Sequence, residues 1–147
     1  MKAVIFSDFD GVLHPIYGGG SDRNDREYRM AGEGLFCWAP LLWKLIRPYP
    51  VGIVVHSSWR DHYRLTELRG LFPRSMRPAI VGVTEGPGRC EGILNYVERY
   101  GIVRYLVLDD MPEAFPPNWE HLVVCDEALG ISAHAVQKRI QTFLQQL

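Results

Sequence analysis

Five short apolar runs punctuate the chain, at residues 3–6, 51–55, 79–83, 105–108 and 122–125. Each is rich in Val, Ile or Leu and none alternates with polar residues, the pattern of strands buried on both faces of a sheet. The segments between them repeat at helical spacing. Leu41, Leu42, Leu45 and Ile46 form one stripe, stopped by Pro48. Leu65, Leu68, Leu71 and Phe72 form a second, closed by Pro73, and Ile93, Leu94, Val97 and Tyr100 a third, with Gly101 placed as its C-terminal cap. The last helix is expected after Ser132 as N-cap, with Val136, Ile140, Phe143, Leu144 and Leu147 on one face. Strands alternating with helices predict right-handed crossovers and a parallel sheet covered on both sides.

Two segments break the alternation. Residues 14–34 carry Gly18-Gly19-Gly20 and a dense run of charges, and residues 111–120 are interrupted by Pro112, Pro116 and Pro117. Both read as loops, and long loops in a compact domain more often serve function than connection alone. A length of 147 residues allows one domain, here expected over 1–147 with a flap at about 14–34. The net charge of −1 removes the simplest case for non-specific binding to nucleic acid or membrane. Of the 16 basic residues only Lys2, Lys44 and Lys138 are lysines, so the cationic chemistry is that of Arg, suited to carboxylate and phosphate. Cys37, Cys90 and Cys125 have neither metal-ligand nor disulfide spacing and read as free thiols in a reducing compartment. No apolar run is long enough for a signal peptide or membrane span, and the expected location is the cytoplasm.

In an open parallel sheet, ligands bind beyond the carboxyl ends of the strands. The first strand ends in Ser7-Asp8-Phe9-Asp10-Gly11, the second in His56-Ser57-Ser58-Trp59-Arg60, and the fourth in Asp109-Asp110. Four carboxylates on one edge repel unless a cation sits among them, and an all-oxygen set suits Mg²⁺. Asp8 is placed to attack phosphorus and Asp10 to shuttle a proton to the leaving oxygen and from water. Gly11 lets the chain turn away without blocking the site. The bland alternative, two loop-capping carboxylates, does not explain the convergence with Asp109 and Asp110. Ser58, three residues before Asp61, approximates a capping box, which leaves Ser57 to bind phosphate at the positive helix end. Trp59 and Arg60 either wall the site or cover the sheet edge, and His56 receives no catalytic role.

Phe6-Ser7-Asp8-Phe9-Asp10-Gly11-Val12-Leu13 resembles the first motif of the haloacid dehalogenase (HAD) superfamily of phosphohydrolases. Val54-Val55-His56-Ser57-Ser58-Trp59-Arg60 is similar to its second motif, and Val107-Leu108-Asp109-Asp110 to its fourth. The SSWR and LDD forms are most similar to the HAD domain attached to RNA-repair proteins of the Swiss Army Knife type. The resemblance runs over nearly the whole chain. It implies a Rossmann-like α/β fold, a five-stranded parallel sheet of order 3-2-1-4-5, with a minimal cap or none. It further implies Asp8 as nucleophile, Asp10 as acid/base, and Mg²⁺ held by Asp8, the Asp10 carbonyl, Asp109 and Asp110.

The superfamily's third motif is commonly a Lys, and no lysine lies between motifs two and four. Arg89 occupies the matching place, against the alternative of an ordinary exposed helix residue; Arg74, Arg77 and Arg104 are the other candidates. The expected function is a Mg²⁺-dependent phosphatase acting through an aspartyl-phosphate, with Gly11, Ser57, Ser58 and Arg60 holding substrate. An open site suits a nucleotide, a nucleic-acid end or another bulky phosphomonoester, with an oligomer's neighbouring subunit as the other source of cover. Tyr17, Tyr28, Phe36 and Trp38 are candidates for stacking on a base. The alternatives are a phospho-accepting signalling module or a non-catalytic phosphate-binding module on the same fold. A receiver module would carry its Asp after the third strand, where Thr84-Glu85-Gly86 stands instead.

Overall fold

The computed structural model describes residues 3–16 and 34–147. Its sheet holds β1 (Ala3–Ser7), β2 (Gly52–Val55), β3 (Ile80–Val83), β4 (Arg104–Asp109) and β5 (Leu122–Val124). All neighbours pair in parallel, in the order β3-β2-β1-β4-β5. The strands fall on the apolar runs because helices cover both faces of the sheet, fully over β1 and β2 and only in part over the edge strands β3 and β5, where Val124 is exposed. In β1, the central strand, Val4 and Phe6 face one layer and Ile5 the other, and all three are buried.

Helices α1 (Ala39–Ile46), α2 (Leu65–Gly70) and α4 (His134–Gln145) cover one face. Their buried stripes, Leu42 and Ile46, Leu68, and Val136, Ile140 and Leu144, meet Ile5, Ile53 and Leu108 of the sheet. Helix α3 (Arg89–Tyr100) covers the other face with Ile93, against Val4, Phe6, Val54 and Val107. It ends where Gly101 takes the left-handed backbone at φ 60° that a C-terminal cap requires.

Two local expectations are corrected. Ser132 does not cap α4: Ala133 holds the N-cap position, and the Ser132 hydroxyl donates to the Leu129 carbonyl within a preceding 3-10 turn. Residues 111–120 form the expected loop, with one 3-10 turn at Pro112–Ala114. Phe115 is buried and stacks on Trp119, with ring centroids 5.7 Å apart, closing the end of the second apolar layer. Phe36 is no base-stacking platform, being buried edge-on against Phe9 at 4.8 Å. Tyr17, Tyr28 and most of the expected flap lie outside the described residues. Trp38 is partly buried and packs against the main core.

Candidate active site

Parallel pairing in register brings the carboxyl ends of β1 and β4 side by side, Ser7 opposite Leu108. The residues just beyond, Asp8 and Asp109, therefore emerge together, and the Asp8 N–H continues the ladder to the Leu108 carbonyl at 3.0 Å. Carboxylate oxygens of Asp8, Asp109 and Asp110 lie within 4.8 Å of one another. Gly11 makes this approach possible. At φ 75° it adopts a backbone that side chains disfavour, and a Cβ there would lie 2.7 Å from Asp110 Oδ2. Gly11→Ala is accordingly expected to lower both the melting temperature and the affinity for Mg²⁺, read by thermal unfolding and calorimetry. An unchanged Mg²⁺ affinity would show that Asp110 is not held in place by this contact.

Asp8 and Asp109 are nearly inaccessible to solvent, at 3% and 0% exposure. Burial, reinforced by Asp109 and opposed by Arg89, pushes the Asp8 carboxyl well above its usual range. Burial likewise raises Asp109 to about 6, although Arg89 and the Met111 N–H, 2.9 Å from Oδ1, favour its charged form. The Asp8 Oδ1 accepts from the Phe9 N–H at 2.8 Å, leaving Oδ2 toward Arg89.

Arg89, the first residue of α3, reaches back over the sheet edge. One of its terminal nitrogens, Nη1, donates to Asp8 Oδ2 at 3.2 Å and to Asp109 Oδ2 at 2.7 Å. Burial disfavours its charge, but Asp8 and Asp109 outweigh that and hold the guanidinium protonated. Among the described residues it is thus the basic residue brought to the cluster, and it is not an ordinary exposed helix residue. Arg77 is engaged by the Phe72 and Gly70 carbonyls, and Arg104 by the Gln146 carbonyl.

The second-strand loop corrects the assignment of the two serines. Ser57, not Ser58, is the N-cap of a 3-10 turn over Ser58–Asp61: its hydroxyl accepts from the Trp59 N–H at 3.3 Å. Ser58 is exposed. The turn is tighter than an α-helix, so the capping box expected from Ser58 and Asp61 has no α-helical N3 to close on. Ser57 is buried at the rim of a depression of about 190 Å³ that Ser58, Arg60, Gly88 and Arg89 also border. Arg60 is committed elsewhere: its guanidinium donates to Thr84 Oγ1 and, at 2.8 Å, to the Gly86 carbonyl. It ties the turn after β2 to the loop that carries Arg89.

Two neighbours of this site give no motif signal. His56 is buried with Nδ1 2.8 Å from Thr84 Oγ1, and burial, with Arg60 and Arg89 nearby, lowers it to about 3, so the ring is neutral. His14, four residues after Asp10, has its Nε2 2.9 Å from Asp10 Oδ1. The Asp10 side chain thus turns to His14 and, at 3.3 Å, to Trp59 Nε1, rather than into the cluster of Asp8, Asp109 and Asp110. A Trp in an SSWR string reads as a wall or cover, and only the structure shows it buried with its N–H on Asp10.

The raised carboxyls bear on metal binding. Two buried carboxylates whose charged forms disfavour each other, with a third alongside and only oxygen donors, fit a hard divalent cation such as Mg²⁺. A sign follows for stability. The folded pKa of Asp109 lies above its ordinary 3.8, so its contribution is full below that value and lost as pH rises through about 6. Asp109→Asn is therefore expected to stabilise the metal-free protein at pH 7.5, by roughly 1–3 kcal/mol in urea denaturation. The advantage should shrink below pH 6. A variant less stable than the parent at pH 7.5 without metal would contradict the strain assigned to this carboxylate.

A parallel five-stranded α/β sheet carrying this acidic cluster at its carboxyl edge defines a HAD-type domain, of the phosphohydrolase superfamily. More narrowly, the chain belongs to the family described as the HAD domain in Swiss Army Knife RNA repair proteins, whose family model matches residues 4–136. No curated protein and no solved structure matches it. Among the described residues, no helix is long and apolar enough to cross a membrane.

Proposed function

We propose that the protein is a Mg²⁺-dependent phosphomonoesterase that acts through an aspartyl-phosphate on Asp8. The observation that carries this reading is the meeting of Asp8, Asp109, Asp110 and Arg89 at one sheet edge. Asp8, the Asp10 carbonyl, Asp109 and Asp110 are the residues that would hold the cation, which when bound neutralises phosphoryl oxygens. An Asp8 carboxylate oxygen attacks phosphorus while the bond to the leaving oxygen breaks, and that oxygen takes the electron pair and a proton from Asp10. Water then attacks phosphorus, gives its proton to Asp10, and releases inorganic phosphate and Asp8. Arg89 lowers the repulsion between Asp8 and the incoming phosphoryl group and steadies the charge that develops on it. Ser57 is positioned to hold a phosphoryl oxygen.

The substrate we favour is a terminal phosphate on a nucleic acid, RNA before DNA. Two features support it: the family is named for RNA repair proteins, and the chain from Arg60 to Arg89 is filled by α2, β3 and two 3-10 turns. That stretch has no room for a cap domain, which suits a polymer end. The test is phosphate release from 5′- and 3′-phosphorylated oligoribonucleotides, their DNA counterparts, mononucleotides and sugar phosphates, with and without Mg²⁺. Faster release from oligoribonucleotide ends is expected. A preference for sugar phosphates would overturn the substrate, and activity undiminished in EDTA would overturn the metal requirement.

A further inference from the structure

Among the described residues, two side chains from different parts of the chain hold Asp10. His14 Nε2 lies 2.9 Å from Oδ1, and Trp59 Nε1 donates to Oδ2 at 3.3 Å. The direction of the first bond is settled by the other ring nitrogen. The Phe36 N–H donates to His14 Nδ1 at 3.3 Å, so Nδ1 is the acceptor and the ring proton sits on Nε2, facing Asp10. Phe36 reaches this position with a left-handed backbone, φ 56°, which a bulky residue adopts only under constraint from its surroundings. His14 is fully buried, edge-on to Phe36 at 5.1 Å, and its own carbonyl accepts from the Gly11 N–H at 2.9 Å. The imidazole is therefore fixed in place, tautomer and orientation from three directions.

We infer that His14 and Trp59 are positioning residues that keep the Asp10 carboxyl turned out of the acidic cluster and aimed for proton transfer. A carboxylate two residues from Asp8, beside a divalent cation, is an available metal ligand unless its oxygens are otherwise engaged. Two N–H donors engage both of them. The inference rests on the phosphatase reading for its kinetic consequence alone. Its structural consequence, which groups bind metal, stands without any activity.

Two measurements on the full chain test it. Calorimetric titration with Mg²⁺ compares the parent with His14→Phe, Trp59→Phe, Asp10→Asn and the double variants. Removing either donor is expected to tighten Mg²⁺ binding severalfold by freeing Asp10, and Asp10→Asn in the same chain is expected to cancel that gain. Trp59→Phe keeps an aromatic ring in the core and serves if His14→Phe does not fold, and His14→Gln, which can still donate toward Oδ1, should bind as the parent does. Unchanged Mg²⁺ affinity in both single variants, or a gain that survives Asp10→Asn, overturns the inference.

The kinetic arm compares an alkyl phosphate with a nitrophenyl phosphate, whose leaving group needs no proton. Loss of an aimed acid is expected to slow the first step, release of the alcohol in single-turnover measurements, by about 10- to 100-fold for the alkyl ester while changing release of nitrophenol by less than about threefold. Equal losses on both esters would mean a general structural role. If neither ester were hydrolysed by the parent, the phosphatase reading would fail separately, with the metal titration still deciding the role of His14 and Trp59.

Discussion

Asp8→Asn is expected to lower turnover of any phosphomonoester by about 10³-fold or more, with the fold intact. The substitution preserves size and the bond that the Phe9 N–H makes to Oδ1, but removes the charge and nucleophilicity of Oδ2, the oxygen facing Arg89. It also removes one of three mutually repelling carboxylates, so the metal-free variant should melt higher than the parent. Loss of activity with gain of stability is the signature sought. A variant that is inactive because unfolded would melt lower, and one that turns over normally would exclude Asp8 as nucleophile. Asp10→Asn should differ in kind: attack on an ester with a good leaving group persists, and the acyl-phosphate on Asp8 accumulates because water activation is lost. Acid quenching with labelled substrate reads that difference directly.

Arg89→Ala is expected to reduce turnover by about 10²- to 10³-fold, the loss typical of one charge-stabilising donor. Its effect on stability is the less obvious part. A helix-initial Arg reads as dispensable to folding, yet here one nitrogen is shared by two buried carboxylates. Removing it leaves both without a counter-ion, so the metal-free variant should be less stable than the parent at pH 7.5 and recover toward pH 5 as Asp8 and Asp109 take up protons. Mg²⁺ should bind the variant more tightly, because a competing positive charge has gone. Arg89→Lys should restore part of the turnover. A turnover equal to the parent's in Arg89→Ala would require the cation to come from another residue or another subunit.

The fold was legible because it is written in local patterns. Each of the five apolar runs became a strand, with ends moved by one or two residues, because a strand enclosed on both faces must be apolar throughout. The helices followed their stripes, and Gly101 capped α3 as its position suggests. What failed was finer. Ser57 and Ser58 are neighbours of one residue type, and which of them caps depends on whether the turn beginning there is α or 3-10. Sequence spacing does not carry that difference.

The site divides the same way. Asp8, Asp10, Asp109 and Asp110 were legible because strand ends of a parallel sheet converge on one edge, whatever the rest of the chain does. Arg89 was placed by elimination and by motif order, but its hold on both carboxylates was not. His14 and Trp59 were missed as partners of Asp10, because neither motif order nor residue type links positions 10, 14, 36 and 59. The sequence by itself determined the layers and the charges gathered at the edge, since hydrophobic burial and chain connectivity act through local pattern, and the strand order was read from the resemblance of its motifs to the HAD superfamily. Tertiary structure alone decided which way Asp10 faces, which serine caps, and how far burial raises Asp8 and Asp109, because these depend on distances of a few ångströms between groups remote in the chain.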